Sequence, residues 1–194
     1  MTTVIDRDER RRRIADITVD VIARDGLEAA TIRRIAAELH GPTKLITHYF
    51  ADKEQLLLWA YDALAAQWER NLEAVVQKDP ADVLGCLFCM APTNELQLKL
   101  WRVYVAFWDW AARNTVIADL QRKYIDVALR RICELVRARN GARDDIESIS
   151  ERLNAVVQGL AIQALMDSQK WPPARIRQRL SEEVDTLLGP PSPG

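Results

Sequence analysis

The sequence predicts an all-α fold of about nine helices. Three observations carry that expectation. Apolar residues recur at helical spacing rather than in alternation, and the β-branched ones fall inside that pattern. Glycine, at seven in 194 residues, is scarce enough that those present read as helix stops. Thr, Asp or Asn precedes most apolar stripes, where its side chain can accept from the first free backbone N–H groups.

The first helix is expected over 8–24, with Ile14, Ile17, Val21 and Ile22 on one face and Asp25-Gly26 as its stop. Thr31 caps a short second helix reaching to Leu39. After a break at His40-Gly41, Pro42 suits the first turn of a third helix, expected to run to about His48. Asp52 with Gln55 forms a capping-box-like start to a long helix ending near Lys78. Asp79-Pro80 is expected to open the fifth helix and Ala91-Pro92 to close it. Thr93 or Asn94 caps a Trp-rich sixth helix to about Arg113, and Asn114-Thr115 starts a seventh that ends at Asn140-Gly141. The eighth is expected from Asp144-Asp145 to about Ser168 and the ninth over 174–188. Residues 189–194, rich in Pro and Gly, are expected to form a disordered tail.

Composition narrows the function classes. Hydrophobic residues make up 48% and charged residues 28%, the balance of a soluble domain with a real core. No apolar run reaches the length of a membrane span, and the Arg-rich N-terminus lacks the apolar region of a secretory signal. A reducing cytoplasm suits the three cysteines, among which Cys86 and Cys89 read either as packing thiols or as a lone metal or redox pair. Net charge is −1, yet Arg10, Arg11, Arg12 and Arg13 form a local basic stripe of the kind a nucleic-acid partner needs. No phosphate-cradling glycine loop, metal-ligand cluster or Ser/His/Asp set is present, and both histidines fall in the segment described next. The chain therefore reads as no enzyme, with no catalytic residue, metal or cofactor assigned.

The informative segment is residues 31–56, TIRRIAAELHGPTKLITHYFADKEQL. Two short helices joined by a tight turn and packed on a longer first helix have the layout of a helix-turn-helix. The second short helix would enter a major groove and offer Thr43, Lys44, Thr47, His48 and Tyr49, with Leu45, Ile46 and Phe50 left for packing.

On Ile14-Ala15, Gly26, Ala30-Thr31-Ile32, Ile35-Ala36, Ile46-Thr47-His48-Tyr49-Phe50 and Asp52-Lys53-Glu54-Gln55-Leu56, the chain resembles the tetracycline-repressor (TetR) family of bacterial regulators. Trp101, Ala106-Phe107-Trp108 and Gly159-Leu160 are similar to the choline-responsive, betaine-pathway branch of that family. The resemblance implies a three-helix DNA-binding domain over 1–50, followed by a helical ligand-binding and dimerisation domain over 51–188. It implies base or phosphate contacts for Thr43, Lys44, Thr47, His48 and Tyr49, with Thr31 and Arg33 near phosphate and Lys53 clamping another. This sequence departs from the family at the turn, where His40 replaces the usual glycine, Gly41 the apolar residue and Pro42 the serine cap. A changed turn geometry is expected, with consequences for operator preference.

The remainder carries six tryptophans with the aromatic stripe Trp101, Tyr104, Val105 and Trp108 on one face of the sixth helix. Such a stripe is either an aromatic core or the wall of a pocket. Aromatic faces attract organic cations, and Asp109 (or Glu95 or Asp119) would supply the negative charge. Trp101, Tyr104, Trp108 and Asp109 are thus the candidate ligand residues for a small-molecule effector. In the eighth helix Leu153, Val156, Val157, Leu160 and Ala164 form an apolar stripe. The resemblance implies a four-helix interface there, so that a homodimer reads a pseudo-palindromic double-stranded DNA operator. The alternative for the stripe is burial within one chain. The alternative for the whole protein is a helical adaptor whose altered turn no longer binds DNA.

Overall fold

The computed structural model describes residues 7–189. Among these the chain is helical throughout, in the order α1 (Arg7–Asp25), a 3-10 turn (Leu27–Ala29), α2 (Ile32–Glu38), α3 (Lys44–Thr47), α4 (Lys53–Lys78), α5 (Val83–Met90), α6 (Glu95–Ala111), α7 (Thr115–Asn140), α8 (Ile146–Met166) and α9 (Pro173–Leu188). Gly189 closes α9 with a φ of 65°, and the rest of the expected tail lies outside the described residues.

Side-chain caps explain where the helices begin. The Thr31 hydroxyl accepts from the Arg34 N–H at 3.1 Å, and Asp52 accepts from Gln55 at 2.8 Å. Gln55 reaches back to the Ala51 N–H at 2.7 Å, completing a capping box displaced by one residue. Asn94 accepts from Gln97 and Asn114 from Val116 and Ile117. The start of α5 differs from expectation. Asp79 closes a local turn onto the Ala81 N–H, and Asp82 is the cap, accepting from Gly85 at 2.7 Å. The apolar face of α5, Val83, Cys86, Leu87 and Met90, begins right after it.

The described chain forms two compact units. The first takes the residues up to Gln67 together with 102–118, and the second takes 68–101 and the residues from Asp119 onward. The start of α4 belongs to the first unit. Leu56, Leu57, Ala60 and Tyr61 of α4 are sealed within it, as are Ile14, Ile22, Ile35, Ile46, Phe50 and Phe107. Tyr61 lies 4.5 Å from Phe107, ring centre to ring centre. In the second unit α5 packs against α9 and α8, and α9 also packs against α8. Its core includes Leu87, Ile132, Leu153, Val157, Ile176, Leu180 and Val184. The four-residue rhythm of Ile176, Leu180, Val184 and Leu188 gives α9 one narrow buried stripe.

Candidate functional site

The turn between α2 and α3 positions the site. The His40 N–H donates to Ala37 at 3.0 Å and the Gly41 N–H to Ala36 at 2.9 Å, the paired bonds of a Schellman helix stop. His40 occupies the left-handed position, with a φ of 53°. A histidine there costs about 1 kcal/mol relative to glycine. At Gly41 a Cβ would sit 3.0 Å from Leu45 Cδ2, so the tip of that leucine would have to give slightly. The departure noted in the sequence thus leaves a regular turn, with the left-handed residue at 40 rather than shifted to 41.

The third helix is tighter and shorter than expected. Leu45 donates to Pro42 and Ile46 to Thr43 at 3-10 spacing, and the α-type bonds begin with Thr47 to Thr43. His48 and Tyr49 continue as a turn. Ile46 and Phe50 are sealed beneath, which leaves Thr43, Lys44, Thr47 and His48 exposed together. Tyr49 is half-buried, edge-on to His48 with ring centres 4.9 Å apart.

A residue of the Arg stripe holds this helix in place. Arg11 donates to the Tyr49 carbonyl at 3.4 Å, and its guanidinium lies 4.9 Å from the centre of the Trp59 ring. A cation at the C-terminal end of α3 meets the carbonyls left free there. Arg12 and Arg13 remain exposed. Nothing local in a run of four arginines distinguishes Arg11, because its partners lie in α4 and at the end of α3.

On α2, Arg33 is exposed, while Arg34 pairs with Asp25 and Glu38 at 3.1 Å each. Arg24 pairs with the same two carboxylates, tying the end of α1 to α2. The hydrogen bond from Arg24 holds Glu38 below the usual carboxylate range. Thr31 is exposed at the start of α2, and its hydroxyl keeps a proton to donate while its oxygen caps. Lys53, the first residue of α4, is already engaged: its ammonium donates to the Glu28 carboxylate at 3.3 Å and to the Glu28 carbonyl at 3.4 Å. All eight candidate DNA residues thus belong to the first unit. Arg11, legible in the sequence only as one of a basic stripe, and Glu28, not singled out there, are the partners the structure brings to Tyr49 and Lys53.

The candidate ligand residues are distributed differently. Tyr104 stacks on Tyr61 at 6.0 Å and meets Trp108 edge-on at 5.4 Å, all within the first unit. Burial pushes the Tyr104 hydroxyl above the usual phenol range. Trp101 belongs to the second unit, is 3% exposed, and donates its indole N–H to the Met90 carbonyl at 2.9 Å. Its ring meets Trp68 at 5.9 Å. Asp109 is exposed and paired with Arg113 at 2.5 Å. Together with Trp110 it lines an open cleft of about 510 Å³ beside Gly26, Glu28 and Lys53. The second unit also contains Gln121, 5% exposed, with both amide atoms sealed and without a partner, and the similarly unpartnered Trp68 N–H. Each such group costs roughly 1–3 kcal/mol. Cys86 is buried, its thiol pushed up to about 12, and Cys89 is also raised by burial, so both are neutral thiols near neutral pH.

The apolar stripe of α8 lies mostly inside the single chain. Leu153, Val157, Leu160 and Ala164 are buried within the chain, on the face of α8 that α5 and α9 cover, and only Val156 is half-buried. A helix has one broad apolar face, and here its centre serves the core. The exposed residues of α8 include Arg152, Ala155, Gly159, Gln163 and Met166, the last 79% exposed.

Comparison with known proteins fits this geometry. Residues 14–59 match the family described as bacterial regulatory proteins, tetR family, and residues 86–189 match the family described as BetI-type transcriptional repressor, C-terminal. The chain is 30% identical to the HTH-type transcriptional regulator PksA of Bacillus subtilis, covering 96% of this chain and 94% of the relative. It is 28% identical to the regulator BetI 1 of Chromohalobacter salexigens, over 92% of this chain and 90% of that one. Among solved structures, a transcriptional regulator of Saccharomonospora viridis in complex with choline matches with a TM-score of 0.83 and 26% identity, over 94% and 98% of the two chains. With a helix-turn-helix that presents a polar row and a C-terminal part of BetI type, the chain belongs to the TetR family of DNA-binding transcriptional repressors.

Proposed function

We propose that residues 1–50 read a pseudo-palindromic operator as the DNA-facing part of a homodimer, while residues 51–188 bind a small organic cation that modulates DNA affinity. The carrying observation is the exposed row Thr43, Lys44, Thr47 and His48 above the sealed Ile46 and Phe50. In this reading Lys44 and Thr47 meet base edges or phosphate, Tyr49 and His48 border them, and Thr31, Arg33 and Lys53 hold flanking phosphates. The adaptor alternative rested on the altered turn, and its regular hydrogen bonding removes the motive for it. A partner chain would meet the outer strip of α8 around Val156 and Gly159 rather than the buried stripe. The protein acts where its operator is, in the bacterial cytoplasm.

The choline complex of the Saccharomonospora viridis relative supports a cationic effector. So does the aromatic group Tyr61, Tyr104 and Trp108 of the first unit, since aromatic faces attract organic cations. A ligand that prefers a conformation with wrongly spaced DNA heads weakens operator binding by the factor by which DNA weakens ligand binding. The test is binding to the DNA upstream of the protein's own coding sequence at several salt concentrations, against a scrambled fragment. Specific binding that falls steeply with salt is expected, with Lys44→Ala lowering the log–log salt slope by about 1. Failure to select any site, there or from random sequence, sinks the reading.

A further inference from the structure

A helix of four residues does not hold itself in place. Lys44–Thr47 closes too few hydrogen bonds to persist alone, so the direction of α3 is set by what surrounds it. At its start stands the turn from α2, and beneath it lie Ile46 and Phe50. Its far end, where His48 and Tyr49 follow as a turn, is met by Arg11 of α1. One guanidinium N–H donates to the Tyr49 carbonyl at 3.4 Å, while the same group lies 4.9 Å from the centre of the Trp59 ring of α4. Trp59 in turn lies 6.3 Å from the ring of the sealed Phe50. Three helices of the first unit thus meet at one guanidinium. The chemistry there is more than packing asks for. The Arg11 Nε–H and the Trp59 indole N–H are both closed to water and without a hydrogen-bond partner. Apolar side chains would fill that space with no polar atom to satisfy, so packing alone does not call for arginine and tryptophan. A guanidinium is planar, so it can lie against an indole and still aim an N–H in its own plane at a carbonyl, which a lysine ammonium cannot do.

We propose that Arg11 is a positioning residue for operator discrimination, setting the angle at which the end of α3 offers His48 and Tyr49, rather than a phosphate contact. The inference rests on the DNA-reading role of α3 given above. Arg11 fixes the Tyr49 carbonyl directly, and His48 follows because its ring stands edge-on to that of Tyr49, 4.9 Å away. Arg12 and Arg13 of the same run are exposed and remain free to meet the backbone of DNA. A wrong angle at this end costs base contacts more than phosphate contacts. Base edges demand a fixed geometry, whereas a long cationic side chain reaches a phosphate from many directions. The signature of Arg11 is therefore loss of discrimination with general DNA affinity kept.

The experiment measures affinity of the full chain for the DNA fragment it selects and for a scrambled fragment, at several salt concentrations. The variants are Arg11→Lys, Trp59→Leu, their double, and Trp59→Phe, all of which keep the net charge and hence the long-range field. Arg11→Lys and Trp59→Leu are each expected to lower the ratio of the two affinities about five- to tenfold, roughly the cost of one misread base pair. Affinity for the scrambled fragment is expected to stay within about twofold, with its salt slope unchanged. The double variant is expected to lose no more than either single one, because both residues act through one contact. Trp59→Phe keeps an aromatic face for the guanidinium and is expected to keep the ratio within about twofold. Trp59→Met stands in should Trp59→Leu misfold. An unchanged ratio in Arg11→Lys and Trp59→Leu overturns the proposal, as do losses that add in the double variant. Equal loss on both fragments overturns it too. With a salt slope lower by about 1 in Arg11→Ala, such a loss marks a phosphate contact, and with the slope unchanged a general loss of structure. If the unsubstituted protein selects no fragment, the DNA-reading role falls and this proposal with it.

Discussion

In the head, Thr43, Lys44, Thr47 and His48 stand in water above a sealed Ile46 and Phe50, whereas in the second unit Gln121 and the Trp68 N–H lie inside without partners. The first arrangement suits a polymer of phosphates. An exposed side chain exchanges water for an anionic oxygen at little cost to the fold, so recognition and stability are nearly separable there. The second carries a cost inside the fold, because a buried amide without a partner stabilises it less than a hydrocarbon of the same shape would.

The sharpest way to break this contrast is at α3 itself. Ile46→Ala is expected to destabilise by about 2–5 kcal/mol in chemical denaturation, because it opens a cavity under the reading face. Thr47→Ala, one residue on, is expected to shift the same curve by less than about 0.5 kcal/mol while weakening operator binding. Equal destabilisation by the two would mean that the faces are not separable. A smaller effect of opposite sign is expected at the turn: His40→Gly should stabilise by about 0.5–1 kcal/mol, since only the left-handed backbone changes in cost. A loss of stability there would show that the imidazole does something the turn needs. The smallest effect is that of the Arg24–Glu38 pair. Its carboxylate is held low, so its contribution is present above the ordinary glutamate range and lost as pH falls through the depressed value. Glu38→Gln should therefore melt slightly below the unsubstituted protein at neutral pH, the gap closing in acid. A gap independent of pH would assign the effect to packing.

Most helix starts were legible because a cap is a local event. Thr31, Asp52, Asn94 and Asn114 each serve the turn that follows them in sequence. Asp79 and Asp82 were not separable by that logic, as both can cap, and the apolar stripe beginning at Val83 was the signal that favours the second. The polar row on α3 was readable because its spacing follows from the helix alone. What was not readable depends on distant partners. Arg11 looks like its three neighbours until Tyr49 and Trp59 come to it, and Lys53 looks free until Glu28 does. The stripe of α8 is legible as apolar, but periodicity says only that a face is buried and not by what, and within the single chain Leu153, Val157 and Ala164 are sealed.

The Glu28–Lys53 pair bears on how DNA binding should be counted in ions. A lysine that meets a phosphate from water liberates one condensed cation from the DNA, and the salt slope adds these up. Lys53 starts from a carboxylate. Were a phosphate to take it, Glu28 would keep its charge beside that phosphate, so the pair would bring no net positive charge and would contribute little to the slope. The number of released ions would then fall short of the number of cationic side chains touching the backbone, and the shortfall would be located at one residue pair.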